Sequence, residues 1–276
     1  ASGKLLYSAR IIPLRGSWLD FEFDPKDLLY VRIDRRRKFP VTTFLKALGF
    51  SEREILGHFY NTEKILIREE EYLRAAKIEN LYRQRIPKDI LHPKSKKVLV
   101  KQGEKYSKRV HGALEAVGVT HIPVPPEDVL GRIVADDLVD PGTGEVLASR
   151  NQPITQDILK KIQERNITEF ECLVLDAPDT STSILHTMTL DKIEKSEDAV
   201  LEIYKKMRPS SPPTVEVANN FFNSRFFNLS TYDLSPVGRL KLNYRLDLDV
   251  PLERRTLRKE DIIAAVKELI RLKNSE

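Results

Sequence analysis

Residues 10–38, RIIPLRGSWLDFEFDPKDLLYVRIDRRRK, join the only tryptophan of the chain to an alternating strand pair that ends in four consecutive cations. Read at period two, Leu19, Phe21 and Phe23 fall on one face and Asp20, Glu22 and Asp24 on the other, the pattern of a half-buried antiparallel strand. Trp18 shares the parity of the carboxylates. Asp24-Pro25-Lys26-Asp27 reads as a turn because proline fixes φ at its second position, and Leu29, Val31 and Ile33 then resume the alternation against Tyr30, Arg32 and Asp34. A hairpin with one wet face is expected. On that face the indole of Trp18 is available to stack on an unpaired base, worth about 1–3 kcal/mol per base. If the strand instead starts after Trp18, the indole folds back into the core. Arg35-Arg36-Arg37-Lys38 leaves a strand and is stopped by Pro40, so it reads either as a fixed positive ledge for phosphates or as a plain solvated surface.

The chain has 276 residues, 41% apolar and 32% charged, which is room for one large domain or two ordinary ones of globular composition. No apolar run approaches the ~20 residues needed to cross a bilayer. The beginning, ASGKLLYSAR, has no long apolar segment and no Met, which reads as a segment cut from something longer. The single cysteine, Cys172, excludes an internal disulfide and suits a reducing compartment; its apolar surroundings in sequence predict a buried, inert thiol. Net charge is +5, with Lys and Arg against Asp and Glu standing at 11 to 7 in residues 1–60, 19 to 20 in 61–179 and 16 to 14 in 180–276. The ends are cationic and the middle near neutral, a balance that permits nucleic-acid binding without demanding it.

Sliding the chain over itself by 48 residues aligns Val98-Leu99 with Val146-Leu147, Ser107 with Thr155, Val110 with Ile158, Leu114 with Ile162 and Gly118 with Asn166. Each copy reads as a short strand, a helix capped by Ser107 or Thr155, a left-handed stop at Gly118 or Asn166, and a second strand. The expected class is α+β: a mixed, largely helical domain over 1–60 and 185–276, interrupted by an inserted segment, 61–184, that holds two small repeats at about 88–124 and 140–175. In the flanks, Ser51-Glu52-Arg53-Glu54 is a capping box opening a helix, residues 64–85 suggest another helix, and Ser196 is expected to cap a helix ending at Arg208-Pro209. Thr214 is expected to cap a helix through Phe221 and Phe222. Ile262, Ile263, Val266, Leu269 and Ile270 place one apolar stripe on a terminal helix.

No active site emerges from the sequence. His58, His92, His111, His121 and His186 lack metal-ligand spacing, and GxGxxG, GxxxxGK[ST] and GxSxG are all missing from the chain. Asp136-Asp137 and Glu69-Glu70-Glu71 read as solvated carboxylates. No metal site, no catalytic residue and no cofactor is expected within these residues.

RGSWLDFEFDPKD at 15–27, VRIDRRRK at 31–38, IYKKMRPSSPPT at 203–214 and FFNLSTYDLSPVGRLKLN at 226–243 closely resemble, in that order, the β subunit of bacterial DNA-directed RNA polymerase. The resemblance covers 1 to about 60 and about 185 to 276, the lobe of that subunit, with 61–184 falling where some lineages carry an insertion. It implies a parent enzyme that polymerises ribonucleotides with magnesium held by another subunit, acting in the cytoplasm on nucleoid DNA. It further implies a lobe that forms one wall of the DNA cleft, Trp18 stacking on a nontemplate-strand base, and Asp34, Arg35, Arg36, Arg37 and Arg208 lying along that strand or the downstream duplex near it. Partners implied are DNA, the other polymerase subunits and a sigma factor, with regulators on the insert. Thr231 stands where some relatives carry a basic residue, so a contact there is in doubt. The competing reading is a protein-docking module whose insert binds regulators or neighbouring subunits, with little DNA binding of its own.

Overall fold

The alternation of Leu19, Phe21 and Phe23 builds a strand because each of these side chains reaches the core, where all three are buried. In the computed structural model, which describes residues 5–68, 71–176 and 180–275, this strand belongs to an antiparallel meander. The meander runs β1 (Ser8–Ile11), β2 (Leu19–Phe23), β3 (Leu29–Ile33) and β4 (Phe39–Pro40), in that spatial order. The β2–β3 register sets Leu19 opposite Ile33 and Phe23 opposite Leu29. Its turn is closed by Asp24, whose Oδ1 accepts from the backbone N–H of Lys26 and Leu28, and Asp27 takes the left-handed conformation at φ 62°. The expected hairpin is thus the centre of a larger sheet, since β1 and β4 occupy backbone edges that would otherwise stay unpaired. The second face is not uniformly wet either. Asp20 is only 7% exposed, because Arg10 of β1 lies across it and pairs with its carboxylate.

Two helices follow, α1 (Val41–Ala47) and α2 (Glu52–Phe59). The capping box at α2 forms as the sequence predicts: the Ser51 N–H donates to Glu54 Oε2 at 2.7 Å, and Ser51 Oγ accepts from the Glu54 N–H at 3.3 Å. The chain then enters a second unit, which contains β5 (Thr62–Arg68), β6 (Glu71–Ala75), α3 (Ile78–Leu81), β7 (Ile90–Leu91), β8 (Val98–Val100), α4 (Lys108–Ala116), β9 (His121–Val124), α5 (Pro126–Val129), β10 (Leu138–Val139), β11 (Val146–Ala148), α6 (Gln156–Glu164) and β12 (Glu169–Leu173). It returns to the first unit for α7 (Ser183–Leu190), α8 (Ser196–Met207), α9 (Val215–Phe226), α10 (Ser235–Leu246) and α11 (Lys259–Asn274). The first unit comprises the chain up to Phe59 and from Ser181 onward; the second is Tyr60–Thr180.

In the first unit Phe44 of α1 is the hub, with ring centroids 5.5 Å from Phe222 and 5.7 Å from Phe226, both edge-on. Buried charge ties the helices together. Arg239 of α10 is fully buried and donates to Asp261 of α11 at 2.9 Å, to the Arg254 carbonyl at 2.7 Å and to the Thr256 carbonyl at 2.6 Å. Lys46 of α1, also buried, lies 2.9 Å from Glu52 and 3.6 Å from Asp191. Thr214 caps α9 through its hydroxyl, as the sequence predicts, but Ser196 does not cap α8. The helix there starts one residue earlier than the expected cap allows, with Lys195 in extended backbone at the N-cap position.

Where a helix is expected over 64–85, the described residues form two strands and one helical turn, with 69 and 70 outside the described residues. The buried side chains of Ile65, Tyr72 and Arg74 follow the period of a strand, and β5 and β6 are the central strands of the sheet β12-β5-β6-β9. Pairing on both edges outweighed the helix propensity of the Glu, Lys, Arg and Leu residues there. Across this sheet Glu63 accepts from Arg74 at 2.9 Å and from Arg132, while Arg74 and Arg132 also reach Asp176. Burial pushes the Asp176 carboxyl up, but Arg74 and Arg132 outweigh it and leave it below the ordinary carboxylate value. Cys172 is buried, with its thiol pushed up to about 12 by burial.

Elements of the same type start 48 residues apart in this unit: α3 and α5, β7 and β10, β8 and β11, α4 and α6. Ser107 and Thr155 accept from the N–H groups of Val110 and Ile158, and Gly118 and Asn166 both take left-handed φ. The two cores are separate. Leu81, Tyr106, Val110 and Leu114 belong to one cluster, and Val129, Ile154 and Ile162 to the other. Replacing Arg239 with Met should leave Asp261 buried with only Arg258 as a charged partner and cost about 3 kcal/mol. Urea unfolding followed by circular dichroism checks this, and a midpoint unchanged from the parent chain would refute it.

Candidate nucleic-acid interface

The Asp34–Arg37 segment leaves β3 in a tight turn: the Arg36 N–H donates to the Ile33 carbonyl at 3.0 Å, and Asp34 and Arg35 take φ of 51° and 56°. Two consecutive left-handed residues without glycine store conformational strain, which persists where the surroundings hold it in place. Here they do. The Asp34 N–H donates to the Trp18 carbonyl at 3.1 Å, and Asp34 Oδ1 accepts from the Trp18 N–H at 2.9 Å, closing the open end of the β2–β3 pair.

That closure aims the cations. The Arg35 guanidinium sits 4.8 Å from the Trp18 ring centre and the Arg10 guanidinium 5.7 Å from it. Trp18 stands one residue before β2 and is half-buried, with its indole beside the two guanidiniums. Arg36 donates to the Met207 carbonyl at the end of α8, at 3.0 Å. Arg37 is exposed at the outer end of the turn. Lys38 lies 4.3 Å from the ring of Tyr30.

A second aromatic ring lies in the same unit. Phe221 of α9 is flanked by the guanidiniums of Arg208 at 4.9 Å and Arg225 at 4.4 Å. Arg225 links the two rings, because it also lies 3.9 Å from Asp34 Oδ2 and donates to the Ser17 hydroxyl at 3.5 Å. Burial, and the positive charges of Arg208 and Arg36, lower Arg225 from its ordinary value, while Asp34 opposes them. The structure thus brings Trp18, Asp34, Arg35, Arg36 and Arg208 into one neighbourhood. Sequence reading missed Arg10, Phe221 and Arg225. The i, i+4 spacing of Phe221 and Arg225 is the one signal that would have drawn attention to them.

The arrangement pairs flat aromatic faces with cations held by carbonyls and a carboxylate, which suits bases and phosphates together. Thr231 makes no such contribution; its hydroxyl donates to the carbonyls of Ser224 and Asn228. Among the described residues no three His, Cys, Asp or Glu side chains converge as a metal-ligand set, and no helix is long and apolar enough to cross a membrane.

The family model for RNA polymerase Rpb2, domain 2, matches residues 2–122 and 155–276. The chain belongs to that family. The match contains every residue of the interface described above, whereas 123–154, with α5, β10 and β11, lies outside it. Over its whole length the chain is also similar to proteins named DNA-directed RNA polymerase subunit beta, at 52% identity in Syntrophobacter fumaroxidans, 46% in Desulfotalea psychrophila and 45% in Anaeromyxobacter dehalogenans. It spans about 20% of the length of these curated relatives. Their alignments run through the middle unit as well, so a segment of this kind recurs in them.

Replacing Asp34 with Ala removes the acceptor for the Trp18 N–H and the counter-charge of Arg225, with an expected cost of about 1–3 kcal/mol. Emission of the sole tryptophan should move to longer wavelength and become more accessible to iodide. Unchanged emission and quenching would mean that Asp34 does not hold the indole.

Proposed function

We propose that this chain is the lobe segment of the β subunit of a bacterial DNA-directed RNA polymerase, lining one wall of the DNA cleft in transcription. On this reading Trp18 stacks on an unpaired base of the nontemplate strand, and Arg35, Arg36, Arg37 and Arg208, with Asp34 positioning the turn, follow the phosphates of that strand and of the downstream duplex. The observation that carries the reading is the pair of aromatic rings, Trp18 and Phe221, each flanked by two guanidiniums and linked through Asp34 and Arg225. A base arriving on Trp18 takes the place of Arg35 or Arg10 over the ring, and the released guanidinium is then within reach of the adjoining phosphate.

The chain's own residues bind and orient; nucleotide addition and the magnesium that serves it belong, on this proposal, to other parts of the enzyme. The other polymerase subunits and a sigma factor are its partners, and the cytoplasm its compartment. The middle unit, read as a duplicated insertion, docks regulators. A pair of exposed apolar residues opposite one another on the second small hairpin, Val139 with Val146, favours that role.

Fluorescence of Trp18 with a short single-stranded DNA tests the proposal. Quenching that saturates and fades with rising salt is the expected result. Arg35→Ala and Arg208→Ala should each reduce the log–log salt slope by about 0.7, the value for one single-strand phosphate contact. Emission indifferent to DNA at low salt would overturn the reading and leave protein docking as the better one.

A further inference from the structure

We infer that the β7–β8 hairpin, with the start of α4, is a second nucleic-acid surface, one that grips the phosphate backbone of double-stranded DNA without reading bases. It lies in the middle unit and stands independently of the Trp18 reading.

The near-neutral middle of the chain conceals a sharp division. Residues 83–109 hold ten Lys and Arg against two Asp and Glu, whereas residues 131–157, the same elements 48 positions on, hold two against five. Lys94, Lys96, Lys97, Lys101, Lys105 and Lys108 are all exposed. Among the described residues none of the six has a carboxylate within ion-pair distance, unlike Lys88, which pairs with Glu71, and Arg109, which pairs with Glu104.

The second hairpin serves as an internal control. At the six corresponding places it carries Gly142, Gly144, Glu145, Ser149, Pro153 and Gln156, and the backbone takes the same course: Asp140 and Glu145 close β10–β11 as His92 and Lys97 close β7–β8. The fold therefore requires none of these lysines. Two of them sit where local physics opposes them. Lys96 takes φ 56°, a left-handed conformation that glycine adopts without cost at Gly144, φ 74°. Lys108 begins α4, whose first turn has no acidic residue, although the helix dipole disfavours cations there; α6 has Asp157 in its first turn.

Even the turn acceptor differs. His92 Nδ1 accepts from the N–H groups of Lys94 and Ser95 at 3.2 Å, where Asp140 uses a carboxylate, so the turn that carries Lys94, Lys96 and Lys97 is closed without a fixed negative charge. Lysines on long stems, with no aromatic ring among the six, contact phosphates as point charges and offer no stacking platform, which favours duplex over single strand.

The test uses the full chain and a labelled DNA duplex, with binding read by fluorescence anisotropy across a salt series. One variant receives the second hairpin's residues: Lys94→Gly, Ser95→Thr, Lys96→Gly and Lys97→Glu. A second, Lys94→Gln, Lys97→Gln and Lys101→Gln, alters surface charge alone and covers the case in which the first fails to fold. Both should lose duplex affinity by about tenfold and lower the log–log salt slope by about two to three. In the glutamine variant, quenching of Trp18 emission by a short single-stranded DNA should match that of the parent chain, so failure of this surface and failure of the Trp18 site are told apart. Parent-like duplex affinity and slope in the glutamine variant would overturn the inference. So would displacement of the duplex by anionic phospholipid vesicles at equal phosphate, which would make a membrane surface the better ligand.

Discussion

The reciprocal pair of hydrogen bonds between Asp34 and Trp18 is the constraint on which the cationic face depends. Its two halves do different work. The backbone bond from the Asp34 N–H to the Trp18 carbonyl extends the β2–β3 ladder by one step, and the carboxylate accepting the Trp18 N–H fixes where the chain enters β2. The same carboxylate is the counter-charge for Arg225, so one side chain joins the meander to α9. Because Asp34 is held, Arg35 is kept in a left-handed conformation over the indole. Relaxation of that turn would carry Arg35 off the ring, since the side-chain direction follows φ.

Elsewhere, too, buried charge joins segments distant in sequence. Arg239 bonds to Asp261 and to two carbonyls just before α11, and Lys46 joins α1 to Glu52 and Asp191. In the middle unit Glu63, Arg74, Arg132 and Asp176 form a network across β5, β6 and the segment after α5. Such groups specify rather than merely stabilise: an apolar contact tolerates sliding, whereas a buried guanidinium stripped of its partners does not.

The middle unit separates scaffold from surface. Two sets of caps, left-handed stops and hairpins hold the same course while the exposed residues on them diverge in charge. Packing constrains the inside of each copy, and only solvent or a ligand constrains the outside.

Much of this was legible in the sequence because the signals are local. Proline at the second place of the 24–27 turn, period-two alternation in β2 and β3, the Ser51–Glu54 box, the hydroxyl caps at 107, 155 and 214 and the stops at 118 and 166 each depend on residues within a few positions of one another. The candidate residues Trp18, Asp34, Arg35, Arg36 and Arg208 were nameable for the same reason, as a lone aromatic, a run of cations and a helix end. Tertiary structure alone decided the rest. That Thr62–Arg68 and Glu71–Ala75 form strands follows from ladders supplied by β9 and β12, which lie tens of residues away. That Asp20 is buried, that Arg10 covers Trp18, and that Arg225 links Phe221 to Asp34 all follow from β1 and α9 packing beside the hairpin. Charge and aromaticity are written residue by residue, but which cation faces which ring is fixed only when non-local backbone pairing and core burial bring them together.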